Sequence, residues 1–273
     1  MYHINKTIVP AHFDIKPHDI FYLTYLEKIH KVKEDKNFIY VMNNYGHRSE
    51  DFKKEHDGLH ILFSGCSITF GDSLPYKTNW SGRLYDMLSK QYKLSNYFNL
   101  SYMGASTEFI IFNIFQYCKS FGNPDVLFMY LPDSGRKMFW DESKKEYKNH
   151  AGENPTEPDK RMSWLRSYQY VVMLEQYCKT NSIKLLWSCW NGDDLSFYKN
   201  HNFENLIVFD EVKIFKKSNN YDESKSIYYD YGRDKIHPGL WYSSGLSNIF
   251  YEEFFERYQN EKDLQNFAFK IKN

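Results

Sequence analysis

The sequence predicts an α/β protein, a three-layer α/β/α sandwich around a mainly parallel central sheet. Three observations predict it. From about Leu59 onward, short apolar runs alternate with longer helix-like segments, the order in which parallel strands and their crossover helices follow one another. The runs are apolar throughout, as in Val126 to Leu131, which suits strands covered on both faces. And 273 residues with 42% hydrophobic content can bury a full core without metal or disulfide staples, as one large domain or two small ones.

Taken in order, residues 1–57 are polar and aromatic without a clear period. They read as an N-terminal extension packing on the core, and residues 58–273 as the α/β/α domain. Strands are expected at Leu59 to Ser64, Tyr97 to Leu100, Val126 to Leu131, Ile183 to Ser188 and Leu206 to Asp210. Helices are expected near Trp80 to Tyr92, Thr107 to Ser120, Trp164 to Thr180 and Ser243 to Asn260. In Thr107 to Ser120 the apolar residues Phe109, Ile110, Phe112, Ile114, Phe115 and Cys118 occupy more than one face, as in a helix packed deep against a sheet. Residues 134–162, rich in Lys, Glu, Asp and Pro, read as a long polar insertion after the third strand. Such a loop is either a lid over a site or a solvated excursion.

Composition removes several function classes. The 35 basic residues equal the 35 acidic ones, so no long-range field draws the molecule onto phosphate backbones or anionic lipid, and nucleic acid is not an expected partner. No apolar stretch approaches the roughly 18 residues of a membrane span. Cys66, Cys118, Cys178 and Cys189 are scattered with no C-x-x-C pair, and the N-terminus carries no export-signal pattern. Reduced, buried thiols in a cytoplasmic protein are expected. The 24 Tyr and 22 Phe supply core area first and sugar-stacking surface second.

Two segments carry the chemistry. The strand Leu59 to Phe63 runs into Ser64-Gly65-Cys66-Ser67-Ile68-Thr69-Phe70-Gly71. Ligands of open α/β sheets sit outside the carboxyl ends of the strands, so the Ser67 hydroxyl lies where a nucleophile belongs, although a serine there also suits a helix cap. Near the other end stands Tyr231-Gly232-Arg233-Asp234-Lys235-Ile236-His237-Pro238-Gly239. Asp234, three residues before His237 in a turn punctuated by Pro and Gly, can orient that imidazole as general base to a serine from elsewhere in the fold.

Together these segments resemble the SGNH (GDSL-type) hydrolase superfamily, in the G-C-S-x-T-x-G variety of bacterial and phage proteins, whose sandwich is flavodoxin-like. Asn99 to Ser106 is similar to the family block whose glycine amide serves the oxyanion, and Asn43-Asn44-Tyr45-Gly46-His47-Arg48 to an upstream N-x-x-G-x-R element. The resemblance implies Ser67 as nucleophile, His237 as base, Asp234 as its orienting carboxylate, and the amides of Ser67 and Gly104 as oxyanion donors, with neither cofactor nor metal. It departs twice. Cys66 stands where the family has Asp, and the block that ends G-x-N-D reads Leu131-Pro132-Asp133-Ser134-Gly135. Without that asparagine, either Ser134 or another loop supplies the third oxyanion donor, or the hole has backbone donors only. Gly71-Asp72-Ser73-Leu74 spells the family's nickname, yet register against the strand selects Ser67 over Ser73. Trp190 and Asn191, after the fourth strand, are candidates to border the pocket. His56 and His60 have helical zinc spacing, but Gly58 and the strand onset break the helix.

The function expected is ester hydrolysis through an acyl-enzyme, with a small-molecule ester or a glycan ester such as an O-acetylated sugar as substrate. The rival expectation is a weak or inactive binding or structural module, for instance in a phage particle.

Overall fold

The computed structural model describes residues 20–22, 39–41, 43, 45–72, 74–141, 146–150, 157–218 and 237–269. Two short strands, β1 (Ile20–Tyr22) and β2 (Ile39–Val41), pair antiparallel ahead of the domain. The central sheet holds β3 (Ile61–Gly65), β4 (Phe98–Asn99), β5 (Val126–Leu131) and β8 (Lys184–Cys189). Their order is β4-β3-β5-β8 and every pairing is parallel. This is the α/β sandwich read from the alternation of runs.

Successive side chains of a strand point to opposite faces, and here both faces are dry. Ile61, Phe63, Val126, Phe128, Tyr130 and Leu186 join one core, against helices α2 (Trp80–Leu88), α6 (Glu211–Lys216) and α7 (Leu240–Tyr258). Leu62, Leu127, Met129, Leu185 and Trp187 join the other, against α3 (Thr107–Phe121), α4 (Glu157–Thr180) and α5 (Gly192–Lys199). Each Phe or Leu buried this way contributes roughly 1.5–3 kcal/mol. Local signals set the helix starts. Asn79 caps α2 by accepting from the Gly82 amide at 2.7 Å, and Ser106 caps α3 by accepting from Phe109.

Residues 134–162 contain more structure than a loop. Lys137–Asp141 (β6) and Glu146–His150 (β7) form an antiparallel hairpin, and α4 already begins at Glu157 rather than near Trp164. The strand expected over Leu206 to Asp210 shrinks to one parallel bridge, between Leu206 and Trp187. Arg257 of α7 takes the carbonyls of Glu204 and Leu206, and Asp210 turns away to cap α6 by accepting from Lys213 at 2.7 Å. Helix α2 stops at Leu88, because Tyr92 is drawn into an antiparallel bridge with Ala268. From the N-terminal segment, Phe52 enters the core, edge-on to Tyr117 and tilted against Phe98 and Phe121.

Candidate active site

The carboxyl end of β3 makes a turn that only glycine allows. A Cβ on Gly65, whose φ is 156°, would lie 2.6 Å from the Tyr130 carbonyl oxygen and 2.2 Å from Thr69 Oγ1. Cys66 is fully buried and precedes the four-residue helix α1 (Ser67–Phe70), with the Phe70 amide donating to the Cys66 carbonyl at 2.9 Å. Ser67 thus opens that helix directly above the strand, 5% exposed. The chain then folds back on it. The amides of Gly71 and Asp72 both donate to the Ser67 carbonyl at 3.0 Å.

Arg48, 3% exposed, holds this turn from outside. Its Nη1 donates to the carbonyls of Phe70 (3.1 Å) and Gly71 (2.7 Å), its Nη2 to that of Leu74 (2.8 Å), and its guanidinium lies 5.7 Å from the Phe70 ring centroid. Asn43 folds the segment that presents it, accepting from the Tyr45 and His47 amides at 2.9 Å and donating to the Glu50 carbonyl. From below, Asn99 Nδ2 donates to the Thr69 carbonyl at 3.1 Å. The N-x-x-G-x-R and Asn99 segments therefore brace the serine turn.

The loop after β4 lies alongside, tied by the Tyr102 amide to the Gly65 carbonyl at 3.1 Å. Gly104 there has φ of 76° and nothing within 4 Å of a Cβ position, so the backbone is open on that side. Among the described residues no backbone hydrogen bond uses the Gly104 or Ser67 amide.

His237, just ahead of α7, comes to the same turn. Its Nδ1 lies 3.7 Å from Asp72 Oδ2, with side chains 22% and 4% exposed respectively. In the sequence Asp72 stands only as a letter of Gly71-Asp72-Ser73-Leu74, with no role of its own. Asp234 and Ser73 lie outside the described residues.

Beyond β5 and β8 the polar side chains bind one another and the helix α5. Both donors of Ser134 are committed to Asp194, the amide to Oδ2 at 2.7 Å and the hydroxyl to Oδ1 at 2.9 Å, and Trp164 Nε1 donates to Oδ1 at 2.6 Å. Burial pushes the Asp194 carboxyl up, and these hydrogen bonds oppose the shift. Asn191 caps α5, accepting from the Asp193 and Asp194 amides and donating to Asp133 at 3.0 Å. Ser134 and Asn191 thus knit the ends of β5 and β8 together. Trp190 lines a cavity of about 750 Å³ with Tyr130, Cys189, Leu195, Phe209 and Tyr242, a lining that includes neither Ser67 nor His237. The Tyr130 and Tyr242 hydroxyls meet there at 2.6 Å, and burial raises both phenols and the Cys189 thiol. All four cysteines are free and buried. Among the described residues no group of three His, Cys, Asp or Glu is arranged to hold a metal ion, and no helix is long and apolar enough to cross a membrane.

No family model and no curated protein matches the chain. Among solved structures it is similar to TesA, at 13% identity and a TM-score of 0.46, over 71% of this chain and 97% of that one. It is also similar to the psychrotrophic esterase EstA from Pseudoalteromonas sp., inhibited by monoethylphosphonate, at 11% identity and a TM-score of 0.45, over 73% and 98%. A third is a member of the lipolytic protein G-D-S-L family from Veillonella parvula DSM 2008, at 16% identity and a TM-score of 0.41, over 74% and 99%.

Proposed function

We propose that the chain is a serine ester hydrolase of the SGNH type that works through an acyl-enzyme. One observation carries the reading. The imidazole at the far end of the sequence lies against the turn that starts with Ser67, because its Nδ1 approaches Asp72, whose amide donates to the Ser67 carbonyl. In the proposed reaction His237 takes the Ser67 hydroxyl proton as the oxygen attacks the ester carbonyl carbon. The amides of Ser67 and Gly104 receive the negative charge that forms on the carbonyl oxygen. The tetrahedral species collapses, the alkoxide leaves with the proton held by His237, and a water activated by the same imidazole releases the acid. The imidazole calls for a carboxylate at Nδ1, the place that the resemblance gives to Asp234. A positioned base supplies roughly 10²–10⁴ in rate and each oxyanion donor about 10²–10³. With Ser134 committed to Asp194, the hole relies on backbone donors.

Within ester hydrolysis, the abundance of aromatic side chains favours acetylated sugars as substrates, since rings stack on sugar faces. The test is turnover of a short-chain aryl ester and of O-acetylated sugars, with labelling by a fluorophosphonate, by wild type, Ser67→Ala and His237→Ala. Wild type alone should turn over and label. Equal rates in all three, or a folded wild type that never labels, would reject the reading in favour of a binding module.

A further inference from the structure

We propose that Asp72 is a positioning residue for His237, holding Nδ1 of the imidazole so that Nε2 is presented to Ser67. The inference rests on the hydrolase reading for its catalytic meaning, but its contact is independent of that reading. Three observations carry it. Asp72 Oδ2 lies 3.7 Å from Nδ1, a distance that a small closure on substrate binding converts to a hydrogen bond. The Asp72 side chain is 4% exposed, so its contact with the imidazole lies where water and salt screen it little. And the carboxylate is not on a free loop. Its own amide is bonded to the Ser67 carbonyl, and the Arg48 guanidinium pins the carbonyls of Gly71 and Leu74 on either side of it.

The consequence concerns geometry. In the pattern the resemblance implies, the carboxylate travels with the base, on the segment before α7, far in sequence from the nucleophile. A carboxylate from the serine turn couples the two. Ser67 and the group that aims the base then belong to one hydrogen-bonded element, and the spacing between nucleophile and base is set by that turn. Holding reacting groups in register is worth several orders of magnitude in rate. As His237 gains a proton during attack, the buried carboxylate also stabilises the imidazolium.

The experiment compares Asp72→Asn with Asp234→Asn and Ser67→Ala in the full chain, each first shown by circular dichroism to be folded. For Asp72→Asn the expected result is a kcat at least about a hundredfold below wild type on an aryl acetate, with KM little changed. A parallel loss in the fluorophosphonate labelling rate is expected. A low-field proton resonance from imidazole Nδ1–H, present in wild type and Ser67→Ala, should vanish in Asp72→Asn. If Asp72→Asn fails to fold, Asp72→Ala with added formate replaces it, and recovery of kcat with formate supports the proposal. Wild-type turnover in Asp72→Asn, or a resonance that persists there and disappears in Asp234→Asn, overturns it. The resonance needs no turnover, so a protein that never hydrolyses an ester still tests the contact, and that outcome counts against the hydrolase reading alone.

Discussion

A methyl group at position 65 has nowhere to go. It would press on the Tyr130 carbonyl, which is fixed by the pairing of β3 with β5, and on the Thr69 side chain inside the serine turn. Overpacking of this kind typically costs 1–3 kcal/mol. We therefore expect Gly65→Ala to lose about 1–3 kcal/mol in urea denaturation and to lose kcat disproportionately, because relief by shifting Thr69 displaces Ser67; unchanged stability would mean that the turn yields without strain. Arg48 makes the opposite kind of constraint, three charge-assisted bonds from one rigid fork. Lysine has the charge without the fork. Arg48→Lys should cost roughly 1.5–3 kcal/mol in the same measurement, and a loss near zero would show that water replaces the guanidinium at the carbonyls. Neither role was visible in the sequence, although both residues were. Gly65 reads as a turn residue from its neighbours, but its tight contact is to Tyr130 on another strand. Arg48 reads as one letter of a motif, and its partners lie 22 to 26 positions away.

Elements built on continuous patterns were legible, and those built on partners were not. β5 shows itself as an unbroken apolar run, and β8 as one interrupted only by Lys184 and Ser188, because both faces of the sheet are dry. α3 shows itself through apolar residues on several faces, closed by the Ser106 cap. The β6–β7 hairpin escaped because Lys137–Asp141 and Glu146–His150 mix charge and ring without a two-residue alternation. The Leu206 segment misled in the other direction. It has the apolar composition of a strand, but its ladder stops at the bridge to Trp187, the Leu206 carbonyl going to Arg257. The junction of β5, α4 and α5 is likewise a matter of partners. Asp194 of α5 collects the Ser134 amide and hydroxyl and the Trp164 indole N–H of α4. Asp194→Ala leaves the Ser134 amide buried without an acceptor, at about 1–3 kcal/mol, and takes the acceptor from the half-buried indole. The expected outcome is a drop of that order in unfolding free energy, with Trp164 fluorescence shifted as the indole finds water. A variant as stable as wild type would remove Asp194 from the joint.

At the scale of the whole molecule the two ends of the sheet divide the work. The carboxyl ends of the strands carry the serine turn, the Gly104 loop and His237, and the amino-terminal end carries a pair of imidazoles, one buried and one half-buried. His56 and His60 stack there with ring centroids 3.5 Å apart, His60 Nε2 meets the Tyr117 hydroxyl at 2.8 Å, and the His60 amide donates to Asp125. Burial first, and then the neighbouring His56, lowers the His60 pKa to about 3, and burial lowers that of His56. In the unfolded chain His60 takes up a proton as pH falls through 6.5, whereas in the folded protein it stays neutral until about 3. The unfolded state therefore binds more protons in that interval, and stability must fall as pH is lowered through it, by up to about 1.4 kcal/mol per pH unit for one such group. Burial raises the carboxyls of Asp125 and Asp194, which makes the folded state the better proton binder just above their ordinary values. Their contribution opposes the imidazole slope, and between about 6.5 and 5 the histidine share is the difference between wild type and a variant that lacks the imidazole. Urea unfolding of wild type at several values in that interval should show falling stability on acidification. His60→Gln, which keeps a polar atom for Tyr117 but cannot titrate, should show a flatter profile. Identical slopes in the two proteins would mean that His60 is charged in the fold, and the stacked pair would then need an anion beside it.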